Sequence, residues 1–231
     1  FGENAPPLIL RPLGEELPLN GRIDRIDQWA QGEDLWLRVV DYKTGADTTV
    51  DLTEFYFGLQ LQLIVYLAAA MQMDGGRPAG AFYFQVDDPV IDTDERGGAQ
   101  VEALREKQMR LSGLAIEEPE VLRAMSPQPD SVIRLSINKD GTPRKGSHAY
   151  TQEEFRRMID HALASAQSLA ETMLQGDVSI APARIDTRIA CERCEYAAVC
   201  QIDPKLAGGQ GVRRESLSRD EVFERLAKKE Q

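Results

Sequence analysis

"GRIDRIDQWAQGEDLWLRVVDYKTG", residues 21–45, decides the fold. Apolar and polar residues alternate through 17–30 and again through 34–43, on either side of "QGED", which is the pattern of a β-hairpin. If Gly32 and Glu33 form a two-residue turn of the kind that takes Gly first, Gln31 faces Asp34 and every paired couple of residue numbers sums to 65. Trp29 then meets Trp36, Asp27 meets Arg38 and Ile26 meets Val39, all favourable cross-strand pairs. The same register sets Asp24 directly against Asp41. Like charges facing each other destabilise a sheet, so something must neutralise them. A hard cation such as Mg²⁺ takes oxygen ligands and commonly uses one or two carboxylates plus a substrate phosphate. Asp24, Asp41 and the backbone carbonyl of Tyr42 offer three such oxygens. Lys43 shares the face of Asp41 at roughly 7 Å along the strand, where its ammonium can hold an attacking water or steady developing negative charge. The plainer alternative leaves Asp41 and Lys43 as ordinary strand-end polar residues, with Asp24 paired to Arg22 or Arg25.

Downstream, "DLTEFYFGLQLQLIVYLAAAMQM" (51–73) has helical spacing, a cap at Asp51 and a stop at "DGG". Gln62 and Tyr66 stand at i and i+4 and share a face, with Gly58 one turn earlier and Gln60 on a different side. "GAFYFQV" (80–86) returns as a strand, so the pattern is strand, helix, strand over a mixed sheet. A helix is expected over 101–112. A strand, "SVIRLSI" (131–137), follows "PQPDS", and "NKDGTPRKGSHA" reads as a basic, turn-rich loop whose Arg144 and Lys145 lie in a solvated turn or contact phosphate. "TQEE" (151–154) is a capping box opening a long amphipathic helix through Phe155, Ile159, Leu163, Leu169 and Met173 to Gly176. "GGQG" then loosens the chain, and a last helix starts at Ser218, with Glu221 completing a second capping box.

The 231 residues fit one large domain or two small ones, and 42% hydrophobic content is enough for a core. No signal peptide is expected. The longest apolar run, 59–73, is interrupted by Gln60 and Gln62 and falls short of the roughly 20 residues of a membrane span, so a cytoplasmic protein is expected. A net charge of −11 excludes a protein that coats nucleic acid by bulk attraction but leaves room for a local basic channel. The acid collects in "VDDPVIDTDE" (86–95) and "EEPE" (117–120), expected as solvated loops, while Arg22, Arg25, Arg38 and Lys43 lie close together in sequence. All three cysteines crowd into "CERCEYAAVC", odd in number and unlike a disulfide framework, which points to a metal or cluster site. Zinc or free thiols are the bland alternatives. Zinc would need a fourth ligand, and His148 and His161 are the only histidines.

"GRIDRID", then "VVDYKTG", then "GLQLQLIVYL", resembles the RecB-type branch of the PD-(D/E)xK nucleases, and within it the nuclease domains of AddAB-type helicase–nucleases. The resemblance runs from about Gly21 to Asp203. It implies a restriction-endonuclease-like mixed α/β sheet flanked by helices, with a nuclease core over 1–184 and a cysteine-bearing segment with the C-terminal helix over 185–231, packed on the same domain. It implies a Mg²⁺-dependent DNA exonuclease for double-strand-break end processing and recombinational repair in bacteria. Asp24 and Asp41 would bind metal, Lys43 would assist the water, and Gln62 and Tyr66 would support the site or touch DNA. Cys191, Cys194 and Cys200 would be three of the four thiolates on a [4Fe-4S] cluster whose fourth Cys is absent here. The expected partners are single-stranded DNA and an AddA-type helicase subunit. Since the chain begins at Phe1 rather than Met, it is expected to be a piece of a longer protein. The family's helix before the first strand is expected to precede Phe1, with Glu3, Glu15 and Glu16 poor substitutes for its acid, so that the piece alone is weakly active or inactive. The alternative is a non-catalytic DNA-holding or subunit-docking module of the same fold.

Overall fold

In the computed structural model, which describes residues 1–231 apart from 4, 45–48, 88–90, 92–97, 129–130, 139, 141, 145, 204, 207–208, 210 and 229–231, the first elements are short. Outside the described residues therefore lie the break at Gly45, most of the acidic run after Asp87, Pro129 and Asp130 of "PQPDS", Lys145 of the basic loop, and Gly208 and Gln210 of "GGQG". β1 (Leu8–Leu10) pairs with β2 (Leu17–Leu19). The hairpin follows as β3 (Arg25–Gln31) and β4 (Asp34–Lys43), antiparallel, in the register whose numbers sum to 65, from Arg25 opposite Val40 to Gln31 opposite Asp34. Gly32 takes φ 62° while Glu33 stays out of the positive-φ region, so the turn is the one that needs Gly first.

The helix expected over 51–73 is two helices. Asp51 caps α1 (Leu52–Tyr56) through its carboxylate, which accepts the N–H groups of Thr53 and Glu54. The chain then turns at Gly58, φ 81°, and restarts as α2 (Gln62–Asp74). Leucine spacing continues through the break, and only the glycine marks it. Gly58 is therefore not on the helix face of Gln62. Gln60, off both helices, accepts the N–H of Asp51 and donates to Glu54.

β5 (Arg77–Gln85) runs parallel to β4, and α2 packs on both strands. Next come α3 (Ala99–Gln108), β6 (Ser112–Ile116), α4 (Pro119–Met125) and β7 (Ala149–Tyr150). The sheet order is β3-β4-β5-β6-β7, with β6 antiparallel to β5 and parallel to β7. This is the mixed, helix-flanked α/β sheet that was expected. β5 and β6 approach so closely that a Cβ on Gly113 would stand 2.2 Å from the carbonyl oxygen of Ala81. Three expectations change here. The helix expected over 101–112 ends at Gln108, because Ser112 already belongs to β6. "SVIRLSI" forms no strand, only a bridge from Ile133 to Leu111 and another from Ile137 to Pro143. Its alternate residues Ile133 and Leu135 are buried with Val40, Phe82, Leu111 and Leu122, so burial rather than pairing explains the alternation. "EEPE" is not all loop, because Pro119 and Glu120 begin α4, proline fitting the first turn where its missing N–H costs nothing.

α5 (Gln152–Leu174) opens on the expected capping box. Glu154 N–H donates to the Thr151 hydroxyl at 3.0 Å, and Thr151 N–H to the Glu154 carboxylate at 2.8 Å. Phe155 and Met158 are buried, but Leu169 and Met173 are 58% and 63% exposed, so the apolar face is sealed only along the first half of the helix. Then come β8 (Ala183–Ile185), β9 (Arg188–Ile189), α6 (Ala197–Cys200), β10 (Val212–Arg214) and α7 (Arg219–Lys228), with strand order β10-β8-β9. Ser218 and Glu221 cap α7 reciprocally as expected.

The chain divides into two compact units. The first comprises Phe1–Ile9, Pro18–Val50 and Gln62–Asp160 and holds the five-stranded sheet; the second comprises Leu10–Leu17, Asp51–Leu61 and His161–Gln231. In the second, the Thr53 hydroxyl both donates to the carbonyl of Leu217 and accepts its N–H. His161 is a packing residue, stacked on Tyr56 and bonded to its carbonyl oxygen. The separation of a nuclease core from a cysteine segment at 184/185 concerns function rather than compactness and stays a proposal.

Candidate active site

β4 alternates between two environments because successive side chains leave a strand on opposite faces. Leu37, Val39, Asp41 and Lys43 share one face with α2, while Val40 and Tyr42 point to the other. Asp41 is 5% exposed, and such a buried carboxylate is tolerable only with a partner. Lys43 Nζ stands 2.7 Å from its Oδ2. The contact lacks the angle of a hydrogen bond, and Oδ2 is a buried oxygen with no hydrogen-bond donor. It is therefore a charge contact that leaves the oxygen's lone pairs uncommitted.

Asp24 lies one residue beyond the ladder, whose last pair is Arg25 and Val40. Its carboxylate accepts the N–H of Tyr42 at 2.9 Å, replacing the next strand bond. It pairs with neither Arg22 nor Arg25, because Arg25 donates to Asp27. Asp27 also accepts from Arg38. Burial alone would raise the Asp27 carboxyl, but the bonds from Arg25 and Arg38 prevail and hold it below the usual carboxylate range. Lys43 C=O accepts the N–H of Val86 on the β5 side, so by alternation the Tyr42 carbonyl points to the opposite edge, where β3 has ended. Asp24, Asp41 and that carbonyl thus converge on the end of the hairpin.

From α2, Gln62 accepts a hydrogen bond from Lys43 Nζ at 3.0 Å and donates its own amide N–H to the Tyr66 hydroxyl at 3.0 Å. All five predicted side chains of this set, Asp24, Asp41, Lys43, Gln62 and Tyr66, therefore lie in the first unit along one run of contacts. One neighbour escapes a sequence reading. Tyr83 of β5 pairs with Asp41, and its ring centroid is 5.2 Å from Lys43 Nζ. Only the β4–β5 register reveals it, and no local pattern sets the register of strands separated by two helices. A cavity of about 620 Å³, lined by Arg38, Val40, Tyr42, Phe84 and Leu111, opens on the other face of the sheet, away from Asp41.

The donor set suits a hard cation: two carboxylates, one of which keeps a buried oxygen lacking a hydrogen-bond donor, and a backbone carbonyl. Among the described residues no group of three His, Cys, Asp or Glu side chains is arranged to hold a metal. The acids are thus a pair, which a phosphate oxygen would have to supplement. The cysteines are free thiols: Cys194 exposed, Cys191 and Cys200 half-buried. Cys194 N–H donates to the carbonyl of Cys191 at 3.2 Å. Burial pushes the Cys191 thiol up, and Cys194 and Cys200 add to it. As arranged, the three do not form a closed site for a cluster.

An acid just before one strand, D-x-K at the end of the next and Q-x-x-x-Y on the helix above stand in the order expected of a nuclease of the restriction-endonuclease-like class. The chain belongs to the PD-(D/E)XK nuclease superfamily, whose sequence profile matches residues 2–201. It is similar to the B-type subunit of the ATP-dependent helicase/deoxyribonuclease of Thermoanaerobacter sp. (strain X514), 36% identical over 99% of this chain and 21% of the relative. It is similar also to the corresponding subunit of Caldanaerobacter subterraneus subsp. tengcongensis, 38% identical over 94% of this chain and 20% of the relative. The same subunit of Moorella thermoacetica is 40% identical over 90% of this chain and 19% of the relative. The chain spans about a fifth of the length of these curated relatives.

Proposed function

We propose that this chain is the nuclease part of a helicase–nuclease that processes broken DNA ends for recombinational repair, in the cytoplasm, with an AddA-type helicase subunit delivering single-stranded DNA. The reaction is Mg²⁺-dependent, exonucleolytic hydrolysis of phosphodiester bonds, leaving a 5′-phosphate and a 3′-hydroxyl. The observation that supports this reading is the end of the hairpin, where the register leaves Asp24 bonded to the N–H of Tyr42 next to Asp41, and strand alternation puts Lys43 on the face of Asp41 with its Nζ 2.7 Å from Oδ2. The names of the relatives, and the match to the nuclease superfamily, agree with it.

Mg²⁺ held by Asp24, Asp41 and the Tyr42 carbonyl would supply Lewis acidity at the phosphate and lower the pKa of a bound water. Asp24, bonded to Tyr42 N–H, fixes the end of the strand that carries the other donors. Asp41 keeps the Lys43 ammonium beside the site, and Gln62 accepts from one of its three N–H groups, which leaves the others to orient a water or meet charge building on the phosphate. Tyr66 holds the Gln62 amide in the orientation that presents its oxygen to Lys43.

The cysteine segment is proposed to carry a [4Fe-4S] cluster completed by a fourth thiolate from outside these residues, on the spacing C-x-x-C-x5-C. Iron and labile-sulfide analysis of the full-length protein tests it, since stoichiometric zinc without sulfide would rule it out. For the nuclease site, cutting of labelled single-stranded DNA is compared for wild type and Asp41→Ala in the full-length protein with its partner subunit. A fall of at least roughly a hundredfold is expected. Unchanged cutting would sink the site.

A further inference from the structure

We infer that Tyr83 is a positioning residue for Lys43, its ring face setting where the ammonium stands. The inference rests on the nuclease reading of the site and goes beyond it by adding a side chain that acts on the site through Lys43.

Tyr83 pairs with Asp41 in the parallel β4–β5 ladder, so both side chains leave the sheet on the same face. Its other neighbour in the ladder is Ser112 of β6, so its backbone is held in the middle of the sheet, and the residue is only 8% exposed. From that fixed base the ring centroid lies 5.2 Å from Lys43 Nζ, within the range of a cation–π contact. Shielding from water strengthens such a contact.

Lysine needs this help for a physical reason. Four flexible methylenes carry its charge, and of the contacts Nζ makes among the described residues only the one to Gln62 is a directed hydrogen bond. Asp41 attracts the charge without fixing its direction, because its approach lacks hydrogen-bond geometry. A second carboxylate or amide in place of Tyr83 would fix the ammonium at the cost of another of its three donors. An aromatic face attracts the whole charge and leaves the donors for water and phosphate. Removing the ring should therefore misplace Lys43 without altering DNA binding, which appears as a loss in kcat and not in KM.

The experiment uses the full-length protein with its helicase partner, cutting labelled single-stranded DNA. Tyr83 is replaced by phenylalanine, by phenylalanines bearing one, two and three ring fluorines, and by leucine; Asp41→Ala is run beside them. Fluorine withdraws charge from the ring face at nearly constant volume, so packing is preserved while the cation contact fades. Phenylalanine is expected to keep most of the rate, each fluorine to lower kcat further, and leucine to lower it roughly fivefold, with KM and the Tm steady along the phenylalanine series. A flat fluorine series beside an inactive Asp41→Ala overturns the role of Tyr83 alone. Loss confined to KM, or tracking Tm, overturns it as well. Full cutting by Asp41→Ala overturns the site itself.

Discussion

Asp27 shows how one side chain can serve the fold beside a site without joining it. It sits two pairs along the hairpin from the last rung, accepting from both Arg25 and Arg38, and so compensates two cations on the face of the sheet opposite the acids of the site. Its carboxyl is held below its ordinary 3.8, so its contribution to stability is complete above that value and is lost as pH falls through the lower folded value. Asp27→Asn is accordingly expected to destabilise the protein by about 1–2 kcal/mol at neutral pH, with the gap to wild type closing as the pH falls below the ordinary carboxylate range. Urea unfolding across pH 2–7 checks both halves. A constant gap between the two curves at every pH would contradict the assignment. Asp41 contrasts with it: equally dependent on a cation, it meets Lys43 through charge alone, and the oxygen left without a hydrogen bond is the chemical resource of the site.

At the scale of elements, local signals carried the most information. The capping box at Thr151 satisfies two N–H groups with two neighbouring side chains, so Thr151→Ala should cost about 1 kcal/mol, read from the urea midpoint, with cutting unchanged once the protein is folded. The hairpin register was legible for the same reason: Gly32 and Glu33 fix the turn, and the turn fixes every pair, which leaves Asp24 beside the end of the strand that carries Asp41 and Lys43 before any tertiary information is used. Gln62 and Tyr66 were legible as a helical pair. The break between α1 and α2 was not, because Leu59 and Leu61 continue the helical spacing and only the positive φ of Gly58 ends it. β6 and β7 were missed because strands of five and two residues gain their identity from neighbours. "SVIRLSI" failed in the opposite direction, its alternation reflecting a buried edge of the core instead of a ladder. Tyr83 belongs to the same class of information, since its place beside Lys43 follows from a pairing across two intervening helices.

For the whole molecule, the charge of −11 means that any hold on DNA comes from a local arrangement rather than from the average surface. A cation bridging two carboxylates and a phosphate would be such an arrangement. In the full-length protein, chelation should stop cutting and added Mg²⁺ should restore it, and a rate that persists in excess chelator would count against the carboxylate pair as a cation site. The bond from Asp24 to the N–H of Tyr42 has one more consequence. Asparagine offers the same oxygen acceptor without the charge, so Asp24→Asn should leave the end of the hairpin intact while withdrawing an anionic ligand. Such a protein would keep its shape while losing most of its cutting, a variant in which the worth of one negative charge is read apart from the geometry that holds it.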